Sequence, residues 1–107
     1  MLNLFVLDYA SNKKIPAIVK NATEQDLAAT KDWQTEWTTP YVRQLPNKVA
    51  LHRADNDELL GLMSYDLDEA GLVVEILYLE NARHSNANLL RVEGGQKKYI
   101  GIAKALF

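Results

Sequence analysis

Short apolar stretches alternate with polar turns in the first part of the chain. Residues 2–9 are apolar enough to form a strand, and residues 16–20 read as a second, short strand. Pro16 restricts that second strand to its first position or to the edge of a sheet. The sequence Ser-Asn-Lys-Lys at 11–14 is typical of a turn. The pattern therefore predicts a β-hairpin at the start of the chain.

A helix is predicted to follow this hairpin. Thr23 and Asp26 have the spacing of a capping box, so the helix should begin near Glu24. Trp33 and Trp37 lie four residues apart, on one face of a helix that would run to about Trp37. The Thr-Thr-Pro sequence at 38–40 should end it, because the residue before a proline disfavours the helical conformation. A loop is expected over residues 41–47.

The second half of the chain predicts a meander and a terminal helix. Residues 48–54, 59–68 and 72–79 read as strands, and the short polar turns between them favour antiparallel pairing. From Tyr99 onward apolar residues recur with helical spacing, so a helix should begin there. We expect one α+β domain over residues 1–107. It should contain a meander of about four or five antiparallel strands, one N-terminal helix and a helix start at the C-terminus.

Composition and charge narrow the classes of function. The chain has 107 residues, of which 48% are hydrophobic and 24% charged, as is ordinary for one small globular domain. No apolar run approaches the roughly 20 residues of a membrane span, and the N-terminus lacks the positive charge of a signal peptide. We therefore predict a cytoplasmic protein with no membrane partner. A net charge of −2 argues against general nucleic-acid binding, which needs a basic face.

No metal site or disulfide is predicted. The chain has no cysteine, and its two histidines are far apart in sequence. The charges that it does carry are unevenly placed. Between residues 54 and 82 there are eight acids and no Lys or Arg, whereas residues 83–98 contain four bases and one acid. Such a distribution would suit an amine substrate facing a polyphosphate cofactor. The alternative is that these are solvated turns and a solvated loop.

The C-terminal residues Lys98-x-x-Gly101-x-Ala103 resemble the coenzyme A-binding signature of the GNAT N-acetyltransferases. That signature is Arg or Gln, two residues, Gly, one residue, and Gly or Ala, so Lys98 is a departure from it. Residues 75–79 are similar to the central fourth strand of the family, and residues 17–27 resemble its first strand and first helix. The resemblance covers roughly residues 17–107. It implies the N-terminal portion of a GNAT domain that is cut short after the cofactor motif.

The resemblance implies acetyl transfer from acetyl-CoA directly to a small amine. The pyrophosphate would be held by a glycine-bearing helix start, where backbone N–H groups point at an anion: Lys98, Tyr99, Ile100, Gly101, Ile102 and Ala103. A backbone N–H of Leu77, Tyr78 or Leu79 would bind the thioester oxygen. Trp33 and Trp37 would border the acceptor pocket. The alternative for both Trp residues is that they pack in the core.

Glu75 is the candidate for the base that takes the proton from the substrate ammonium. It lies in a run of Val, Ile and Leu, and burial would raise the pKa of its carboxyl group toward a useful range. The alternative is a partly exposed or paired strand carboxylate. Glu80, at the end of the strand, and His84, in the loop after it, are predicted to be exposed. His52 is either a base acting through a water or a structural residue.

Two other functions stay open. The chain is alternatively a GNAT-derived binding module without catalysis. Such a module would associate through the unpaired edge of strand 72–79, as a homo-oligomer or with a C-terminal half from another chain. The remaining reading is an unrelated small α+β domain in which the glycine motif occurs by chance.

Overall fold

The fold is one antiparallel sheet with short helices. The computed structural model describes residues 4–68, 70–71, 73–87, 89–90 and 96–106. The strands in these residues are β1 Leu4–Asp8, β2 Lys14–Asn21, β3 Lys48–Arg53, β4 Leu59–Leu67, β5 Val74–Asn81 and β6 Tyr99–Ile100. The helices are α1 Glu24–Ala28, α2 Pro40–Arg43 and α3 Ile102–Leu106, with a 3₁₀ helix at Arg83–Ser85. The strand order across the sheet is β5-β4-β3-β2-β1-β6.

The predicted α+β class is confirmed, and so are the first hairpin and the meander. β1 pairs with β2, and β3, β4 and β5 pair in chain order, all antiparallel. The described residues contain six strands rather than four or five, because β6 was not predicted. The predicted strand residues 2, 3 and 72 lie outside the described residues.

Helix α1 begins at Glu24 as predicted. Thr23 Oγ1 accepts from the Asp26 N–H at 3.2 Å, and Asp26 Oδ2 accepts from the Thr23 N–H at 2.9 Å, which completes the capping box. The predicted extension to Trp37 is wrong, because the helix ends at Ala28. The Thr30 hydroxyl donates to the Leu27 carbonyl and accepts from the Trp37 N–H, both at 2.7 Å. These side-chain bonds replace helical ones and turn the chain back toward the sheet.

The predicted loop over residues 41–47 begins with a helix. Pro40 occupies the first turn of α2, where its missing N–H and fixed φ are well tolerated. α2 then buries Val42 against the sheet. The proline that was expected to end the first helix instead starts α2.

Each face of the sheet carries its own apolar core. The core beneath α3 contains Val6, Leu51, Leu60, Met63, Tyr99, Ile102 and Leu106. The core beneath α1 and α2 contains Leu27, Trp37, Val42, Ala50 and Leu62. The neighbours Ala50 and Leu51 on β3 belong to opposite cores, because successive side chains on a strand alternate between faces.

The predicted C-terminal helix is present, but it begins at Ile102 rather than at Tyr99. Tyr99 and Ile100 form β6, in which Ile100 pairs with Leu7 and Tyr99 with Asp8. Gly101 follows with a φ of +90°, and α3 begins only at Ile102. Glycine adopts this left-handed conformation without steric cost, so the chain can leave the strand and enter the helix within one residue.

Candidate functional site

A β-bulge interrupts β5 in the stretch that was predicted to bind the thioester. Ser64 pairs with Tyr78, and the next residue, Tyr65, pairs with Ile76, so Leu77 has no partner on β4. A bulge leaves the extra residue out of the ladder, and bulges are over-represented next to active sites. The extra residue, Leu77, lies within the predicted thioester stretch.

Glu80 lies three residues after the bulge, and its predicted exposure is wrong. The residue is only 7% exposed. Its carboxylate accepts from the Thr35 N–H and from the Trp37 indole N–H, each at 3.2 Å. Burial raises the pKa of Glu80, although these hydrogen bonds oppose the shift. A buried carboxyl group with a raised pKa has the properties expected of a general base.

Glu80 lines a cavity that also joins two of the predicted cofactor-binding regions. The cavity has a volume of about 260 Å³ and is lined by Gln34, Leu79, Glu80, Asn81, Asn86, Ala87 and Ala103. Leu79 comes from the predicted thioester strand, and Ala103 comes from the predicted pyrophosphate motif. Glu80, Gln34 and Asn86 were not predicted to belong to a site. One signal pointed to Glu80: it shares strand parity with the partly buried Tyr78.

The two Trp residues have different environments. Trp37 is fully buried and packs edge to face on Tyr78, with ring centroids 5.6 Å apart. It therefore belongs to the core and reaches the cavity only through its bond to Glu80. Trp33 instead lines a larger cavity, of about 440 Å³, together with Ala29, Asp32, Glu58, Leu59, Ala82, Arg83, His84 and Leu90.

The residues of the predicted pyrophosphate motif point in different directions. Lys98 donates to Glu58 at 3.0 Å. The buried Tyr99 donates to Glu58 at 2.6 Å and accepts from Arg53 at 2.8 Å. This network joins β6 to the turn between β3 and β4. Ile102 lies in a core. Among these residues, Ile100 and Gly101 line a third cavity.

The carboxylate of Glu58 is the centre of that network. Burial alone would raise its pKa, but the hydrogen bonds from Tyr99 and Lys98 outweigh burial and lower it. His84 Nε2 lies 3.5 Å from Glu58 Oε2, and it is buried with no hydrogen-bond partner in the described part of the chain. Burial lowers the pKa of His84, while Glu58 opposes the shift. His84 is therefore half-buried rather than exposed as predicted.

His52 joins β3 to α1. Its Nε2 lies 3.0 Å from Asp26 Oδ1, and its Nδ1 lies 2.8 Å from the Asp57 carbonyl oxygen. The His52 side chain is 7% exposed, and that of Asp26 is 9% exposed. Since Asp26 also belongs to the capping box, this contact fixes the first turn of α1 on the sheet. The geometry favours the structural interpretation of His52.

Glu75 does not lie in the apolar environment that was predicted for it. It is exposed and pairs with Asp66 across β4 and β5. Its neighbours Leu67, Val73 and Val74 are also exposed, at 48%, 60% and 55%. The described part of the apolar run that contains Glu75 begins outside both cores, so its first residues are exposed. The strand pattern alone therefore predicted the wrong environment for Glu75.

The described residues contain no cluster of three or more His, Asp or Glu side chains arranged to hold a metal ion. No helix in the described ranges is long and apolar enough to cross a membrane. Comparisons with protein-family models, with curated proteins and with solved structures found no match. The function of the chain is therefore inferred from its own residues.

Proposed function

We propose that the chain is an acetyl-CoA-dependent N-acetyltransferase of GNAT type that acts on a small amine. The observation that carries this proposal is the β-bulge at Leu77, within the stretch where the resemblance to that family locates the thioester oxygen. A fixed backbone N–H aimed at a developing oxyanion can lower the barrier by about 3 kcal/mol. The proposal assigns this donor to Leu77, which has no partner in the β4–β5 register.

Glu80 is better suited than Glu75 to hold the proton of the amine. Glu80 is buried, lines the 260 Å³ cavity and has a raised pKa, whereas Glu75 is exposed at the end of a hairpin. Gln34, Asn81 and Asn86 line the same cavity and give it a polar character that suits a polar acceptor. The proposal therefore assigns the base to Glu80.

Acetyl-CoA would supply the activated acetyl group when bound. The residues present fit its thioester end, because Leu79 of the predicted thioester strand and Ala103 of the predicted pyrophosphate motif line one cavity. At the pyrophosphate end, Gly101 is open: a Cβ added there would meet no atom within 4 Å. Lys98 is bonded to Glu58 and would contribute only general positive charge. Leu77, Leu79, Gly101 and Ala103 are the residues that would hold the cofactor.

Thermal unfolding with and without acetyl-CoA tests the proposal. A ligand at about 100 times its Kd should raise the free energy of unfolding by about 2.7 kcal/mol. Gly101→Glu should abolish this shift, because it adds a carboxylate where phosphates would bind. Gly71→Glu is a matched control: Gly71 also has a positive φ, +70°, and open space around it, but it lies in the β4–β5 turn. A cooperative melt that acetyl-CoA leaves unchanged in the wild type would reject the proposal.

A second candidate is a binding module that associates through β5. Within the described residues β5 pairs only with β4, so its outer N–H and C=O groups face no strand over eight residues. A long edge strand of this kind is a template for pairing with another chain. Amide exchange combined with sedimentation tests it. A monomer whose outer β5 amides are unprotected would reject it. A cytoplasmic location is common to both candidates.

A further inference from the structure

The two ends of the sheet differ in charge, and both expose apolar residues. At one end, the acidic edge consists of β5 and its hairpin, with Asp66, Glu75, Leu67, Val73 and Val74. At the other end, the basic groove lies between β1 and α3 and is lined by Leu4, Phe5, Val6, Leu7, Ile100, Gly101, Lys104 and Ala105. Both surfaces are therefore apolar, and they are opposite in charge.

The basic groove exists because β6 is short. β6 pairs with β1 only at Leu7 and Asp8, so residues 4–6 have no strand neighbour on that side among the described residues. After Gly101 the chain enters α3, which forms the opposite wall. The resulting cavity has a volume of about 310 Å³ and is lined mainly by apolar atoms, with Lys104 exposed in its wall.

The charge of the groove is positive. Among its lining residues Lys104 is the charged one, and none is a carboxylate. Asp8, at the end of β1, accepts from the Ser11 N–H at 3.0 Å and from its hydroxyl at 2.7 Å. The carboxylate of Asp8 is therefore already hydrogen-bonded within its own turn. An incoming strand that carries an acid would meet Lys104.

The acidic edge has the opposite character. Asp66 and Glu75 are direct cross-strand partners, and like charges in that position destabilise a sheet. The residues from 54 to 82 include no Lys or Arg that would offset this repulsion locally. Val73 and Val74 are more than half exposed beside the two acids. A partner surface that is apolar and basic would cover the exposed valines and offset the repulsion between the two acids.

We propose that β5 of one copy of the chain adds to β1 in the basic groove of a second copy. This rests on the second candidate function, association through β5, and names the partner surface. Glu75 of one copy would face Lys104 of the other, and Val73, which has the same strand parity as Glu75, would enter the apolar groove. Because the two surfaces differ, the contact is head to tail. Repetition then gives a ring or an open chain rather than a two-fold dimer.

Sedimentation velocity over a range of protein concentrations up to about 1 mM tests this pairing. We expect the weight-average mass to rise with concentration at about 50 mM salt and to fall back toward the monomer at about 500 mM salt. Glu75→Lys and Lys104→Glu should each abolish the rise. An equal mixture of the two variants should restore it, because a reversed strand then meets a reversed groove.

The controls are Glu36→Lys and Lys31→Glu, which make the same charge changes at exposed positions after α1 and should leave association unchanged. A wild type that is monomeric at the highest concentration and lowest salt would overturn the inference. So would a discrete dimer that Lys104→Glu leaves intact. If the wild type is monomeric but an added basic strand peptide protects the outer β5 amides, self-association is rejected. Association of β5 with a different chain, the second candidate function, is then supported.

Discussion

Replacing Gly61 with alanine tests how closely α3 packs on the sheet. A Cβ added to Gly61 would lie 2.7 Å from Ile102 Cγ2 and 3.1 Å from Leu106 Cδ1, both on α3. It would also lie 3.1 Å from the Glu80 carbonyl oxygen. That oxygen is part of β5 and moves only with the strand. The new methyl group must therefore displace the two side chains, and α3 with them.

The expected loss follows from two opposing effects. Adding a methyl group to a well-packed core costs about 1–3 kcal/mol. Alanine recovers about 0.5–1 kcal/mol, because glycine loses more backbone freedom when a strand forms. The net loss should be about 1–2 kcal/mol, which corresponds to a fall in Tm of about 5–15 °C for a domain of this size.

Urea unfolding of a double-mutant cycle separates the clash from other effects. Ile102→Ala alone should cost about 2–5 kcal/mol, because the side chain is buried. In the Gly61→Ala/Ile102→Ala variant the methyl group at 61 has room. The combined loss should therefore be smaller than the sum of the single losses by about 1 kcal/mol or more. Strictly additive losses would contradict the packing of α3 on Gly61.

Three further predictions concern the helix caps and the buried titratable groups. Thr23→Ala should lower the free energy of unfolding by about 1 kcal/mol. Thr39→Ala should leave it unchanged, because Thr39 caps α2 without a side-chain bond; equal losses would argue against the capping box. Burial raises the pKa of Glu80 above 4.5, so the folded state binds this proton more tightly than the unfolded state does. The contribution of Glu80 to stability therefore falls as pH rises from 4.5 through the raised pKa. Glu80→Gln should remove this slope from urea unfolding measured across the same range, and an unchanged slope would locate the titration elsewhere. Burial lowers the pKa of His84 below 6.5, so stability should be lost as pH falls from 6.5 through the lowered value. His84→Gln should flatten that loss, and a loss that persists would belong to another group.

The predictions that were confirmed depended on neighbours in sequence. The start of α1 follows from a capping box between residues three positions apart. The hairpin and the meander follow from apolar runs separated by short turns. In each case the interaction that selects the structure closes within a few residues, so the pattern contains the information.

The predictions that were wrong depended on contacts between distant residues. α1 ends early because the Thr30–Trp37 segment folds onto the sheet, where Thr35 bonds to Glu80, 45 positions away. The same segment covers Glu80 and buries it. β6 exists only because Tyr99 and Ile100 reach β1, at the other end of the chain. None of these contacts leaves a periodic signal in a single sequence.

The candidate site shows the same division. The sequence by itself determined the α+β class, the first hairpin, the meander and the cap of α1, because these depend on local backbone preferences and short turns. Only the tertiary structure decided that Leu77 forms a bulge, that Glu80 rather than Glu75 is buried, and that Leu79 and Ala103 line one cavity. Burial and register are set by which surfaces meet, and that is fixed only when the whole sheet has formed.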